Sequence, residues 1–242
     1  MNSSGANQNS PCFPGRVFQP GSVSIILPTL NERQAVSALI CGIRRLGIRR
    51  AKICVVDGPS SDGTAKAAKR AGARVFRIRE RGKAAAIRAA QQRIPGSSIV
   101  MMDADGSYSP SDIPLFLSCL GKNDVCIGSR FLGRMAKGSM SPINKAGNAA
   151  LTRLANLLFG GDISDVCSGM WAFRRSAFRR MEINAKGFEL EANFYVQCKK
   201  LRLKLAEVPI SYGVRKGNSK LRLSDGIKIG IYLILERFGL KR

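Results

Sequence analysis

The residues best suited by type and spacing to do chemistry lie in the run Met101-Met102-Asp103-Ala104-Asp105-Gly106. An apolar, β-rich segment stops at Met102, and side-chain alternation at a strand end puts Asp103 and Asp105 roughly on one side. Hard cations such as Mg²⁺ or Mn²⁺ take one or two carboxylates together with phosphate oxygens and water, so the pair suits a metal on a diphosphate. A solvated Asp turn or helix cap would use the same residues, because D-x-D also arises by chance. A second acidic group, Asp57 and Asp62, lies in the turn-forming run Asp57-Gly58-Pro59-Ser60-Ser61-Asp62-Gly63. A carboxylate there can accept hydrogen bonds from a nucleobase N–H or ribose hydroxyls, although turns collect these residue types for backbone reasons alone.

Composition narrows the chemistry further. The 242 residues contain no histidine, which excludes His-ligated zinc, Ser-His-Asp catalysis and a histidine base, so acids, bases and ligands are mainly carboxylates. Seven cysteines without a C-x-x-C pair are expected to be buried, reduced thiols in a cytosolic protein. Forty Lys and Arg against 16 Asp and Glu give a net charge of +24, spread along the chain. Such a field attracts nucleic acid, anionic membrane or phosphorylated substrates alike. No aromatic-interleaved basic motif or zinc-finger spacing supports nucleic acid as the partner. No segment approaches the roughly 20 apolar residues that span a bilayer.

The elements that must position these groups alternate. Strands are predicted at Val23 to Leu27, Ala51 to Val56, Arg74 to Ile78 and Ser98 to Met102, with helices after Asn31, from Thr64 to Ala71 and from about Lys83 to Arg93. That pattern indicates an α/β fold with a mostly parallel, Rossmann-like sheet covered by helices on both faces. Ligands of such sheets bind outside the carboxyl ends of the strands, where Asp57 and Asp103 fall. Later the alternation loosens: helices at Ile113 to Leu120, Asn144 to Phe159 and Glu189 to Leu201, and strands at Asp124 to Ile127, Ser168 to Phe173 and Leu205 to Val208. Residues 1–21 read as a flexible tail, 22–223 as one catalytic domain and 224–242 as a basic amphipathic helix.

Five motifs then make a specific resemblance, in order: Pro28-Thr29-Leu30-Asn31-Glu32, Asp57 to Thr64, Gly82-Lys83-Ala84-Ala85, Asp103-Ala104-Asp105-Gly106 and Gly128-Ser129-Arg130-Phe131. Together they resemble family 2 glycosyltransferases. The resemblance runs from about Val23 to the C terminus and implies the GT-A fold, with inversion at the sugar carbon. It implies Pro28, Glu32 and Asp57 around the nucleoside of a donor nucleotide sugar, Lys83 and Ala104 beside that donor, and Asp103 with Asp105 on Mg²⁺ or Mn²⁺ and diphosphate. Many relatives carry two adjacent aspartates after the second strand; here Gly58 takes the second place.

The later motifs, Asn144 to Asn148, Asp165 to Arg174, Gly187 to Glu191 and Arg215 to Leu221, resemble the dolichyl-phosphate sugar synthases and their bacterial and archaeal relatives. That branch moves one sugar to a polyprenyl phosphate. A lipid phosphate is already anionic near neutral pH and attacks without a dedicated base. Arg130, Arg215, Ser219 and Lys220 are the expected shell for it, with Arg130 and Arg215 joining Asp103 and Asp105 as catalytic groups. The alternative is a hydroxyl acceptor, with Glu191 or Glu189 as base. Near the C terminus, Ile227, Ile231, Ile234, Leu235 and Phe238 form one helical stripe framed by Lys and Arg. This stripe either packs as an ordinary core helix or lies in a membrane interface, which would place the protein peripherally on the cytoplasmic face.

Overall fold

The computed structural model describes residues 22–217 and 223–240. The expected tail, Ser219 and Lys220 lie outside the described residues. Seven strands form one sheet: β1 (Val23–Thr29), β2 (Ile53–Asp57), β3 (Arg74–Arg77), β4 (Ser98–Met102), β5 (Val125–Met135), β6 (Met170–Arg174) and β7 (Leu205–Tyr212). Their spatial order is β3-β2-β1-β4-β6-β5-β7. Only β6 runs against its neighbours, so the sheet is mostly parallel, as the alternating pattern predicts.

Strand β1 is buried on both faces, which explains its unbroken apolar run. Alternation divides it: Ile25 and Leu27 join one core cluster with Val55, Val100 and Met102, whereas Ile26 joins the other with Val56, Met101 and Trp171. The first cluster is covered by α1 (Arg33–Arg45) and α4 (Ile113–Cys119). The second lies under α3 (Lys83–Gln91), α6 (Arg175–Arg180) and α7 (Leu190–Lys200). Between β2 and β3 runs α2 (Thr64–Ala71). The last two helices, α5 (Pro142–Phe159) and α8 (Leu223–Phe238), pack on each other, and Gly230 of α8 sits where a Cβ would come within 3.7 Å of Leu151 and 3.8 Å of Leu154.

Strands β5 and β7 run furthest past their predicted ends, by eight and four residues. Apolar alternation in β5 stops after Ile127, yet the strand continues to Met135 and carries Ser129 and Arg130. Its ladder with β7 is irregular between Ser129 and Arg134, and any side chain at Gly133 would strike the backbone of Ile210. Glycine there permits a close approach that no hydrophobic pattern signals. The thiol expectation is corrected as well. Cys119, the last residue of α4, folds back beside Cys126 of β5, and the two are joined as a disulfide with Cα atoms 6.6 Å apart. Cys54 and Cys198 are buried free thiols, whereas Cys41 is exposed.

Candidate active site

The carboxyl ends of β1, β2 and β4 open on one edge of the sheet, and the loops beyond them carry the polar groups. At the end of β2, Oδ1 of Asp57 accepts hydrogen bonds from Thr29 Oγ1 at 2.8 Å and Ser60 Oγ at 2.6 Å. Its Oδ2 is buried and has no hydrogen-bond partner. Pro28 lies inside β1, in register with Val56, one residue before Thr29. Asp62 belongs to a different task. Its carboxylate accepts from Thr64 N at 2.9 Å and Arg33 N at 3.0 Å, tying the start of α2 to that of α1. Glu32 joins this junction by donating its backbone N–H to Thr64 Oγ1 at 2.9 Å. Asn31 holds a left-handed φ of 55°, which asparagine tolerates, and accepts from Ser61 N at 2.9 Å.

Beyond β4 the two predicted aspartates are both present at the edge, each against a cation. Asp103 Oδ1 is 2.5 Å from Lys83 Nζ, and Lys83 also pairs with the half-buried Glu191. Lys83 opens α3 and Glu191 lies in the first turn of α7, so this bridge joins residues 108 apart in sequence. Gly169 flanks Asp103 so closely that any Cβ there would collide with its carboxylate. Asp105, only 3% exposed, turns Oδ1 to Ser107 N and Oγ at 2.9 and 2.6 Å, and Oδ2 to Arg215 Nε and Nη2 at 2.7 and 2.5 Å. Burial pushes the Asp105 pKa up, but the Ser107 hydrogen bonds and the Arg215 charge outweigh it and hold the carboxyl below its ordinary value. For Glu191 burial wins: despite Lys83 its pKa is raised, and the Asp103 charge raises it further. Ala104 between the aspartates is buried.

Arg130 stands on the extended part of β5, 8% exposed, and is held by the fully buried Asp165. Nε and Nη2 each donate to one carboxylate oxygen at 2.7 Å, and the backbone N–H adds a third bond at 3.0 Å. Asn148 of α5 donates to Asp165 Oδ1 at 2.7 Å, and the guanidinium carbon lies 5.2 Å from the Tyr212 ring centroid. Tyr108 joins the two groups of charges: its hydroxyl accepts from Gly169 N at 2.6 Å, and its ring meets Tyr212 edge-on.

The structure therefore brings Asp103, Asp105, Lys83 and Arg215 together, places Arg130 nearby, and sets Pro28, Glu32 and Asp57 toward the β1–β2 side. Both expected phosphate arginines are engaged by carboxylates, Arg215 by Asp105 and Arg130 by Asp165. Of the two residues named as base in the alternative reading, Glu191 is paired with Lys83, and Glu189 lies at the start of α7 and accepts from Lys186 N at 3.4 Å. Sequence reasoning did not single out Ser107, Tyr108 or Tyr212. Ser107 had a signal, since a hydroxyl two residues after an aspartate readily forms such a turn.

An all-oxygen donor set suits a hard divalent cation, and both carboxylates already face positive charge. Among the described residues no three His, Cys, Asp or Glu could hold a metal together, so phosphate oxygens and water would complete the shell.

A mostly parallel sheet with acidic and basic groups at its carboxyl edge is the arrangement expected of a GT-A glycosyltransferase. Residues 24–181 match the model of Glycosyl transferase family 2, and the chain belongs to that family. It is 35% identical to glycosyltransferase AglJ of Haloferax volcanii, over 90% of this chain and 72% of that one. It is 33% identical to the dolichyl-phosphate hexose transferase of the same organism, over 86% and 90%. The fold is similar to glucosyl-3-phosphoglycerate synthase of Mycobacterium tuberculosis, solved with Mn²⁺, UDP and glucosyl-3-phosphoglycerate. The TM-score is 0.72 at 21% identity, covering 96% of this chain and 88% of that one.

Proposed function

We propose that this enzyme moves one hexose or N-acetylhexosamine from a GDP- or UDP-sugar to a polyprenyl phosphate, with inversion and with Mg²⁺ or Mn²⁺ as cofactor. The observation that carries the reading is the pairing of Asp103 and Asp105 with Lys83 and Arg215 at the sheet edge, with Arg130 on the neighbouring strand. The similarity to a dolichyl-phosphate hexose transferase supports the acceptor.

In this reading Asp57 offers its unpartnered Oδ2 to an N–H or hydroxyl of the nucleoside, beside Pro28 and Glu32. Asp103 and Asp105 would hold the metal, which offsets the charge developing on the leaving diphosphate. Arg130 and Arg215, with Ser219 and Lys220, bind the acceptor phosphate. A phosphate oxygen attacks the anomeric carbon as its bond to the diphosphate oxygen breaks. No proton has to be removed, and the enzyme's contribution is position and charge. The Lys83–Glu191 pair argues against Glu191 as the base for a hydroxyl acceptor, because the carboxylate is already committed to an ammonium.

Access to a lipid is consistent with α8. One face, with Ile229, Tyr232 and Leu233, is buried in the core. The other exposes Ile227 at 64% and Phe238 at 67%, with Ile231 and Ile234 between them. No helix among the described residues is long and apolar enough to cross a membrane. We place the enzyme peripherally, on the cytoplasmic face, with α8 in the interface.

The decisive assay supplies labelled UDP- and GDP-sugars with metal and either a short polyprenyl phosphate or free saccharides. Label is expected in the butanol-extracted lipid. Label confined to aqueous saccharide products would end the lipid-acceptor reading.

A further inference from the structure

The two carboxylates assigned to the cation are both neutralised by the protein itself. Lys83 serves Asp103, and Arg215 grips Oδ2 of Asp105 through two nitrogens, while Ser107 occupies Oδ1. A divalent ion approaching Oδ2 of Asp105 meets a guanidinium on the same oxygen, and two cations that close repel.

Arg215 is the better placed of the two to leave. Lys83 is 21% exposed and pairs with both Asp103 and Glu191, whereas Arg215 is 29% exposed and bonds the Asp105 carboxylate. The backbone around it is pinned: Gly213 N donates to Ser107 O at 2.7 Å and Lys216 N to Asp105 O at 2.8 Å. The guanidinium can therefore swing on its aliphatic stem while its Cα stays beside the site.

Charge gives the direction of the exchange. Arg215 feels Glu32 as well as Asp105 and Asp103, so with Glu191 four carboxylates stand against Lys83 and Arg215, leaving two net negative. A divalent ion alone offsets both and removes the pull that holds the guanidinium on Asp105. A nucleoside diphosphate-sugar arriving with it adds phosphate charge that the freed guanidinium can follow.

We propose that Arg215 is a latch: without donor it fills the Asp105 half of the cation site, and metal with donor diphosphate displaces it toward the acceptor phosphate. Donor loading thus completes the acceptor site, and an acceptor arriving first finds Arg215 engaged elsewhere. The inference rests on the metal-dependent transferase reading above.

The test titrates Mn²⁺ alone, following the free-ion EPR signal, into the wild type, Arg215→Ala, Arg215→Lys and the Arg215→Ala/Asp105→Asn double variant. Removing the latch should tighten Mn²⁺ binding about tenfold, within the usual range of coupled sites. Arg215→Lys, which keeps the charge, should stay near the wild type, and the double variant should lose the gain. Circular dichroism melts confirm that each variant is folded. Equal or weaker Mn²⁺ binding by folded Arg215→Ala overturns the latch, while Asp105-dependent Mn²⁺ binding by the wild type in the presence of UDP or GDP would leave the metal reading standing. Mn²⁺ binding with UDP or GDP that is indifferent to Asp103→Asn and Asp105→Asn would remove the metal reading itself, and the latch with it.

Discussion

The β2 end and the β4 end of the site treat their carboxylates in opposite ways. Asp57 receives only neutral hydroxyls and keeps one buried oxygen without a partner, whereas Asp103 and Asp105 are each closed by a full positive charge. An unsatisfied buried acceptor costs about 1–3 kcal/mol, which a ligand N–H or O–H arriving there recovers. That end is preformed and waits for a hydrogen-bond donor. The β4 end already has its charges paired, and under the proposed metal binding loading it would exchange one cation for another. In the proposed function, selectivity for the nucleoside and commitment to the donor diphosphate would thereby be separated along one sheet edge.

The largest loss is expected at the β4 end. Asp105→Ala removes a proposed metal ligand and leaves Arg215 unpaired, and transfer should fall by roughly 10³-fold, a loss typical of deleting a principal electrostatic group. Far-ultraviolet circular dichroism should be unchanged. Turnover near the wild-type rate in a folded variant would refute the assignment. Next in size is Asp165→Ala, which strands the Arg130 guanidinium in the interior. Removing one partner of a buried pair typically destabilises by about 3–5 kcal/mol, so the urea midpoint should drop sharply. A midpoint within error of the wild type would show that Asp165 does not hold Arg130 in place.

At the β2 end the effect should be smaller and of a different kind. Asp57→Asn can replace the acceptor oxygen with a donor amide while keeping the shape, so the KM for the nucleotide sugar should rise about tenfold, equivalent to about 1.4 kcal/mol. Mn²⁺ binding without nucleotide should not change. A fall in metal affinity as large as that of Asp105→Asn would erase the distinction between the two ends.

This division also explains what could be read from the chain. The β2 and β4 ends were legible because short segments deliver them: an apolar run, then Asp57 or Asp103 where it stops. The long-range contacts were not, since Arg215 reaches Asp105 across 110 residues and Glu191 reaches Lys83, the partner of Asp103, across 108. Spacing carries no information over such distances, and only the resemblance to a family brought Lys83 and Arg215 into view. The extension of β5 past Ile127 was hidden for another reason: Gly128, Ser129 and Gly133 lack the apolar alternation of a strand, and the ladder to β7 replaces it with close backbone contact. Arg130 therefore lies on a strand, beyond the predicted end at Ile127, and the buried Asp165 that holds it fixes its direction.

The smallest expected effect tests how the acceptor reaches this edge. Helix α8 is apolar on two faces, and only one is covered: Ile229 and Leu233 are buried, while Ile227, Ile231 and Phe238 are exposed. If the open face enters a lipid interface, Ile231→Ser should weaken binding to vesicles containing anionic lipid about fivefold, the effect of losing roughly 1 kcal/mol of partly buried apolar surface. Lys228→Gln should act by a similar amount but only at low salt, because each basic residue near an anionic leaflet contributes about 1 kcal/mol that salt screens. Thermal stability should be preserved in both variants, since the two side chains point away from the core. Vesicle binding unchanged in Ile231→Ser would leave the open face of α8 with no part in membrane docking, and the lipid phosphate would have to meet Arg130 and Arg215 by another route.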